Sequence, residues 1–303
     1  MGHTADTAWP VKRRDPHNHH MDCTWWDRWD FRDDDIVIAT YAKSGTTWTQ
    51  QIVAQLLFDG AVGLRVHEMS LWLDLRTVPA QAKAAMAAQT TRRFVKTHLP
   101  VDALVFSPKA KYIYVCRDGR DSVWSLYNHH INATDEYFSG PNDTPGRVGP
   151  PIERGTRDAH GFYQDWFAGD GFPYWSFWEN VRSWWEIRHL PNVMLLHFND
   201  MKADLPGTIR RVASFLQIPI NQATFPTIVE HCGFDYMKAN ADQFAPGGGA
   251  PWQGGAGTFI HKGTNDRWRD TLSQAEVNAY EARAIKELGQ DGALWLANGG
   301  PVA

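Results

Sequence analysis

Along the chain, apolar residues gather in short blocks separated by longer amphipathic or polar stretches. The first block, Ile36-Val37-Ile38-Ala39-Thr40-Tyr41, is β-branched and uninterrupted by charge. That is the pattern of a strand buried on both faces. Residues 93–97, 111–116 and 193–198 repeat it. Between the first two blocks, Trp48, Ile52, Val53, Leu56 and Leu57 share one face of a helix that runs to about Asp59. Further helices are predicted near Asp121–Ile131 and, as a closing amphipathic element, over Ser273–Leu288. Strands alternating with helices predict an α/β fold, a parallel sheet flanked by helices on both faces in a single domain. Residues 1–32 read as an N-terminal leader and residues 33–303 as the domain. Two segments rich in Gly and Pro, 139–157 and 245–257, break the rhythm as surface loops or lids.

Composition narrows the classes of function. With 43% hydrophobic and 21% charged residues, the 303-residue chain can bury a large core. Its 30 Lys+Arg against 34 Asp+Glu give a net charge of -4, which argues against nucleic acid as a partner. Any anion must then be held by a local site. Cys23, Cys116 and Cys232 are far apart, with neither metal-ligand nor disulfide spacing, an expectation that suits a reducing cytoplasm. No run has the length of a membrane span, and the start has no signal-peptide pattern. His17, His19 and His20 lie in the polar leader and read as solvated, so no metal is expected. The 15 Trp invite an aromatic-lined pocket.

Candidate chemistry begins directly after the first strand, at Lys43-Ser44-Gly45-Thr46-Thr47-Trp48. Gly45 permits a tight turn in which backbone N–H groups converge on an anion at a helix N-terminus. Lys43 adds charge, and Ser44, Thr46 and Thr47 add hydroxyls. A glycine turn with Ser44 as a plain helix cap is the structural alternative. The nucleotide-triphosphatase pattern is missing, since the lysine precedes the glycine. Arg117 follows another strand, where open α/β sheets bind ligands, and its guanidinium suits phosphate.

Lys43–Trp48 resembles the 5′-phosphosulfate loop of the cytosolic-type sulfotransferases, and further motifs follow in order. The span from Arg117 to Ser125 resembles that family's 3′-phosphate segment, and Lys96-Thr97-His98-Leu99-Pro100 its histidine segment. Phe198-Asn199-Asp200-Met201-Lys202 and His261-Lys262-Gly263, followed by Trp268, resemble two later stretches. The resemblance covers roughly residues 30–290. It implies 3′-phosphoadenosine 5′-phosphosulfate as donor, transfer of its sulfonate to a hydroxyl, and no metal. It further implies His98 as general base, with a pKa near neutrality. Lys43 and Lys96 would stabilise the leaving phosphate, and Trp48 and Phe234 would cover the adenine. A histidine base goes with a small aromatic or hydrophobic acceptor. Trp72, Phe138, Trp175, Phe177 and Trp178 are candidates for its pocket, although aromatic residues at such spacings also build cores. The chain departs from the pattern at His261, Cys232 and Phe198, where the family has Arg, Thr and Tyr. Rival readings are an inactive nucleotide-binding protein on the same scaffold, a carbohydrate-directed sulfotransferase and a P-loop kinase. Oligomeric state stays open.

Overall fold

The computed structural model describes residues 9–155 and 157–302. Its centre is a sheet of β1 (Ile36–Thr40), β2 (Phe94–Thr97), β3 (Lys111–Cys116) and β4 (Val193–His197), in spatial order β2-β1-β3-β4. All pairings are parallel, with Ile36 opposite Phe94 and Lys111, and Tyr112 opposite Val193. Alternate side chains of β1 feed separate cores. Ile36 and Ile38 pack with Ile52, Val53 and Leu56 of the helix Thr46–Leu57 and with Ile209 and Val212. Val37 and Ala39 pack on the opposite face with Tyr112, Tyr114 and Trp184. This two-sided burial is the physical reason the strands read as continuous apolar runs.

The chain leaves β1 for β2 on one side and later places β3 on the other. The strand order therefore reverses at β1, and a crevice opens beyond the carboxyl ends of β1 and β3. The last helix is assigned to Gln274–Asn298 but is broken at Gly289, whose φ of +71° leaves the helical region. The expected end at Leu288 coincides with that break. The stretch 139–157 begins inside the helix Asp135–Asp143. The stretch 245–257 forms short turns and is tied to the 132–134 segment by two backbone bonds: the Pro251 carbonyl accepts from Thr134 N–H (2.9 Å), and Gln253 N–H donates to the Asn132 carbonyl (2.8 Å).

The N-terminal segment corrects the picture of solvated histidines. His19 and His20 are each 5% exposed. His17 pairs with Asp22 at 2.8 Å. Arg76 fixes the backbone here by donating to the His19 carbonyl (2.8 Å), and His19 Nε2 lies 2.9 Å from the Pro173 carbonyl. Met21, Cys23 and Trp26 belong to the same core as the sheet. Contacts from residues 154 positions away explain why local polarity misled.

Candidate active site

The loop between β1 and its helix takes its shape from two residues at positive φ, Lys43 (64°) and Gly45 (113°). A Cβ on Gly45 would come within 3.3 Å of both Phe198 and Val115, so backbone sign and space both favour glycine there. Gly45, not Ser44, is the helix cap, and it gives no side-chain bond to the first turn. The N–H groups of that turn are therefore left to the crevice. The Ser44 hydroxyl instead faces Ser122 at 3.2 Å and is buried.

One cavity of about 1250 Å³ extends from this loop. Its loop end is lined by Lys43, Gly45, Thr46, Thr47, Trp48, Lys96, Arg117, Asp121, Ser125 and Phe198. Phe234, His261, Lys262 and Gly263 close the same end from the C-terminal side. Arg117 is oriented by donation from Nη2 to the Thr264 carbonyl (2.8 Å) and from Nε to Asn265 Oδ1 (3.0 Å), with its guanidinium 4.4 Å from the Phe198 ring centre. Lys202 donates to the Gly263 carbonyl at 2.9 Å and ties down the C-terminal loop. Cys232 does not reach the cavity. Its side chain is fully buried, and only its carbonyl serves the site, accepting from Trp48 Nε1 at 2.8 Å.

Burial makes each of these cations costly, and at Lys43 neighbouring cations add to it. Burial, then the charges of Arg117 and Lys96, lower Lys43 from its usual value to about 7. Burial lowers Lys96 to about 8, with Asp74 opposing, and Arg117 to about 10. The Lys43 ammonium rests 4.2 Å from the centre of the Phe259 ring. Cationic groups crowded around a glycine loop and a helix N-terminus form a receptor for a multiply charged anion.

His98 stands where the loop end meets an aromatic end. Its Nδ1 is 2.8 Å from the Thr40 carbonyl, which can only accept, so Nδ1 carries the proton and Nε2 is the basic nitrogen. The Thr40 hydroxyl also touches Nδ1 (3.1 Å) and Thr46 Oγ1 (2.6 Å), which links His98 and the glycine loop through one side chain. Asn180 Nδ2 holds the His98 carbonyl at 2.9 Å. Trp175 stacks on the ring at 5.4 Å between centres, and Trp72 meets it edge-on at 4.6 Å. The expected near-neutral pKa is corrected: burial, with Lys96 and Lys43 nearby, lowers His98 to about 3. The imidazole is thus neutral throughout the physiological range.

Behind this pair lies a buried carboxylate. Asp74 accepts from Trp72 Nε1 (2.9 Å) and Trp26 Nε1 (3.1 Å), and burial raises its pKa to about 6. Trp72 is held on His98 by this bond and by backbone pairing of its segment with Lys96.

Of the proposed pocket aromatics, Trp72 and Trp175 line the cavity. Phe177 and Trp178 are core residues at 1% and 2% exposure, and Phe138 belongs to a small separate cluster with Ala133, Ile152 and Trp252. Their places are taken by His20, which the sequence reads as solvated, and by residues it does not single out, chiefly His129, Tyr137, Tyr174, Trp252 and Phe259. A signal existed for His129. Asp121, Ser125 and His129 recur every four residues along the helix Gly119–Ile131, Arg117 stands four residues before Asp121 ahead of the helix, and all four line the cavity.

Comparison with known proteins places the chain in a family. A family model described as the sulfotransferase domain matches residues 33–292. A glycolipid sulfotransferase of Mycobacterium bovis is 30% identical over 297 residues, covering 90% of this chain and 91% of its own. The luciferin sulfotransferase of Photinus pyralis is 28% identical over 291 residues, covering 86% and 73% respectively. Among solved structures, mouse sulfotransferase SULT7A1 complexed with PAP superposes with a TM-score of 0.67 at 21% identity, over 90% of this chain and 91% of that one. Retinol dehydratase in complex with androsterone and the inactive cofactor PAP gives 0.68 at 23%, over 88% and 84%. The structural likenesses speak for the fold, and the family match together with the mycobacterial relative decides membership: the chain belongs to the sulfotransferase family and is a sulfotransferase enzyme.

Proposed function

We propose that this enzyme transfers the sulfonate of 3′-phosphoadenosine 5′-phosphosulfate to a hydroxyl of a small, hydrophobic acceptor. The observation that carries the reading is the single cavity with a cationic glycine loop at one end and a tautomer-fixed, neutral histidine between two tryptophans at the other. Single-ligand pockets occupy about 300–1,000 Å³, so about 1250 Å³ leaves room for donor and acceptor together. When bound, the donor supplies an activated sulfonate on a phosphate leaving group.

The fit of that donor is tested by the loop end. The charges acting on Lys43 are the cations Arg117 and Lys96, so a phosphate relieves a strain the fold has built in. In this reading Ser44–Thr47 and Lys43 hold the 5′-phosphate side. Trp48, Phe198 and Phe234 enclose the adenine. Arg117, Ser125, His261, Lys262 and Gly263 take the 3′-phosphate. His98 Nε2 accepts the acceptor's hydroxyl proton while the acceptor oxygen bonds to sulfur. Lys43 and Lys96 hold the charge left on the phosphate oxygen as the sulfur–oxygen bond breaks. Anionic phosphates also raise the basicity of His98 from its low value, so the base becomes effective once the donor is in place.

We also propose the cytoplasm as its compartment, supported by cysteines that are all free and buried. No described helix is long and apolar enough to cross a membrane. A second acceptor class has its own support. The cavity wall includes Leu75, Val78, Pro79, Ala82 and Pro141, and one 30%-identical relative is a glycolipid sulfotransferase. An alkyl glycoside is therefore the second reading.

The test incubates the enzyme with the donor and a panel of phenols, steroids, aliphatic alcohols and alkyl glycosides. Release of 3′-phosphoadenosine 5′-phosphate above the acceptor-free background is the expected result, and the best acceptor decides between the two classes. Nucleotide binding without turnover on every acceptor favours the inactive-scaffold reading. Phosphorylation that depends on adenosine triphosphate favours a kinase.

A further inference from the structure

The acceptor end carries a hydrogen-bond chain that the transfer chemistry does not use. Gly155 N–H donates to His130 Nε2 at 3.2 Å. A ring nitrogen that accepts holds no proton, and burial lowers His130 to about 4, so its proton is on Nδ1. His130 Nδ1–H consequently donates to the Tyr174 hydroxyl, 3.1 Å away. The Tyr174 O–H is thereby directed to the Tyr137 oxygen at 3.0 Å. The chain has a direction, and it ends on Tyr137.

Tyr137 lines the cavity. Its oxygen receives a proton from Tyr174, so its own O–H must be spent on another acceptor, and among the described residues it makes no second hydrogen bond. Beside it, His129 also lines the cavity and meets Tyr137 edge-on, with ring centres 5.4 Å apart. Trp252 closes the far side at 4.8 Å. His129 Nδ1 is buried and has no partner among the described residues. Native folds rarely leave such atoms unpaired, and the exceptions ask for an explanation. Here one such atom, His129 Nδ1, shares a cavity wall with the Tyr137 hydroxyl, whose only hydrogen bond among the described residues is the one to Tyr174.

We propose that Tyr137 and His129 form a second recognition point for the acceptor. It takes a hydroxyl or carbonyl oxygen that the acceptor carries apart from the hydroxyl presented to His98. This rests on the acceptor reading given above and narrows it from a simple phenol or alcohol to a molecule with two oxygen functions, such as a hydroxy-ketone or diol. Both residues are specificity-determining rather than catalytic.

The experiment measures acceptor binding by quenching of tryptophan fluorescence with 3′-phosphoadenosine 5′-phosphate present, so turnover is not needed. The probes are 4-hydroxyphenyl alkanones with the ketone at increasing distance from the phenol, each paired with its methylene analogue. At one spacing the ketone should bind about three- to tenfold more tightly, the worth of one neutral hydrogen bond. Tyr137→Phe should bring that ratio to about one, and His129→Phe should lower it. A merely structural loss weakens both members of a pair and leaves the ratio unchanged. Thermal melting checks that each variant is folded, and His129→Phe carries the test if Tyr137→Phe is not. Equal binding of ketone and methylene at every spacing, or a ratio that survives both substitutions, overturns the proposal while leaving the acceptor reading intact. Failure of every probe to bind overturns both.

Discussion

The two ends of the cavity are built by different means. The end assigned above to the donor is built mainly from stretches at the carboxyl ends of β1, β2 and β3, closed by Phe198, Phe234 and residues 261–263, and its chemistry is charge: Lys43, Lys96 and Arg117 around a glycine turn. The acceptor end is assembled from single residues of the N-terminal segment, the helices Gly119–Ile131 and Asp135–Asp143, the 174–175 turn and the 245–260 loop. Its chemistry is aromatic surface and neutral histidine. In the proposed reading the sheet holds the anion site, whereas loops select the acceptor and can vary without disturbing the chemistry.

The largest effect should separate the ends cleanly. In the proposed mechanism His98→Ala removes the base and should lower kcat by about 10²–10⁴-fold, measured as nucleotide release at saturating donor. Lys43→Met comes next. Removing one preorganised charge from the leaving-group side should lower kcat by about 10²–10³-fold and also weaken donor binding, which steady-state kinetics resolves as a rise in donor KM. The smallest of these effects belongs to Asp74→Asn. It keeps the side chain's shape but removes the charge opposing the depression of Lys96 and weakens the bond that seats Trp72 on His98. A loss of about tenfold or less in kcat/KM for the acceptor is expected, with a smaller rise in donor KM through Lys96. A change confined to donor KM would instead place Asp74 with the donor end.

The same contrast explains what was legible in the sequence. The strands announced themselves because burial on both faces demands unbroken apolar runs, and the glycine loop because a turn, a lysine and hydroxyls must be neighbours in sequence. His98 was found by its neighbours Lys96 and Thr97 in one short motif. His20, Tyr137 and Tyr174 could not be found that way. Their meeting depends on contacts between distant segments, such as His19 with Pro173. Phe177 and Trp178 misled for the opposite reason, since an aromatic residue bears the same pattern whether it faces a core or a pocket. Burial likewise moved His98 far from neutrality, which residue type alone does not reveal.

The division between the ends is tested most directly by calorimetric titration of 3′-phosphoadenosine 5′-phosphate into wild type, Lys43→Met and His98→Ala between pH 6.5 and 9. In the free enzyme Lys43 loses its proton near 7 and Lys96 near 8. Bound phosphate raises both, so binding takes up protons. Affinity is complete below about pH 7 and falls as pH rises through the free values and beyond. Wild type and His98→Ala should share this decline and the proton uptake measured in buffers of different ionisation heat. Lys43→Met should bind more weakly and lose most of the uptake. Affinity independent of pH in the wild type, or a decline that survives in Lys43→Met and vanishes in His98→Ala, would contradict the account.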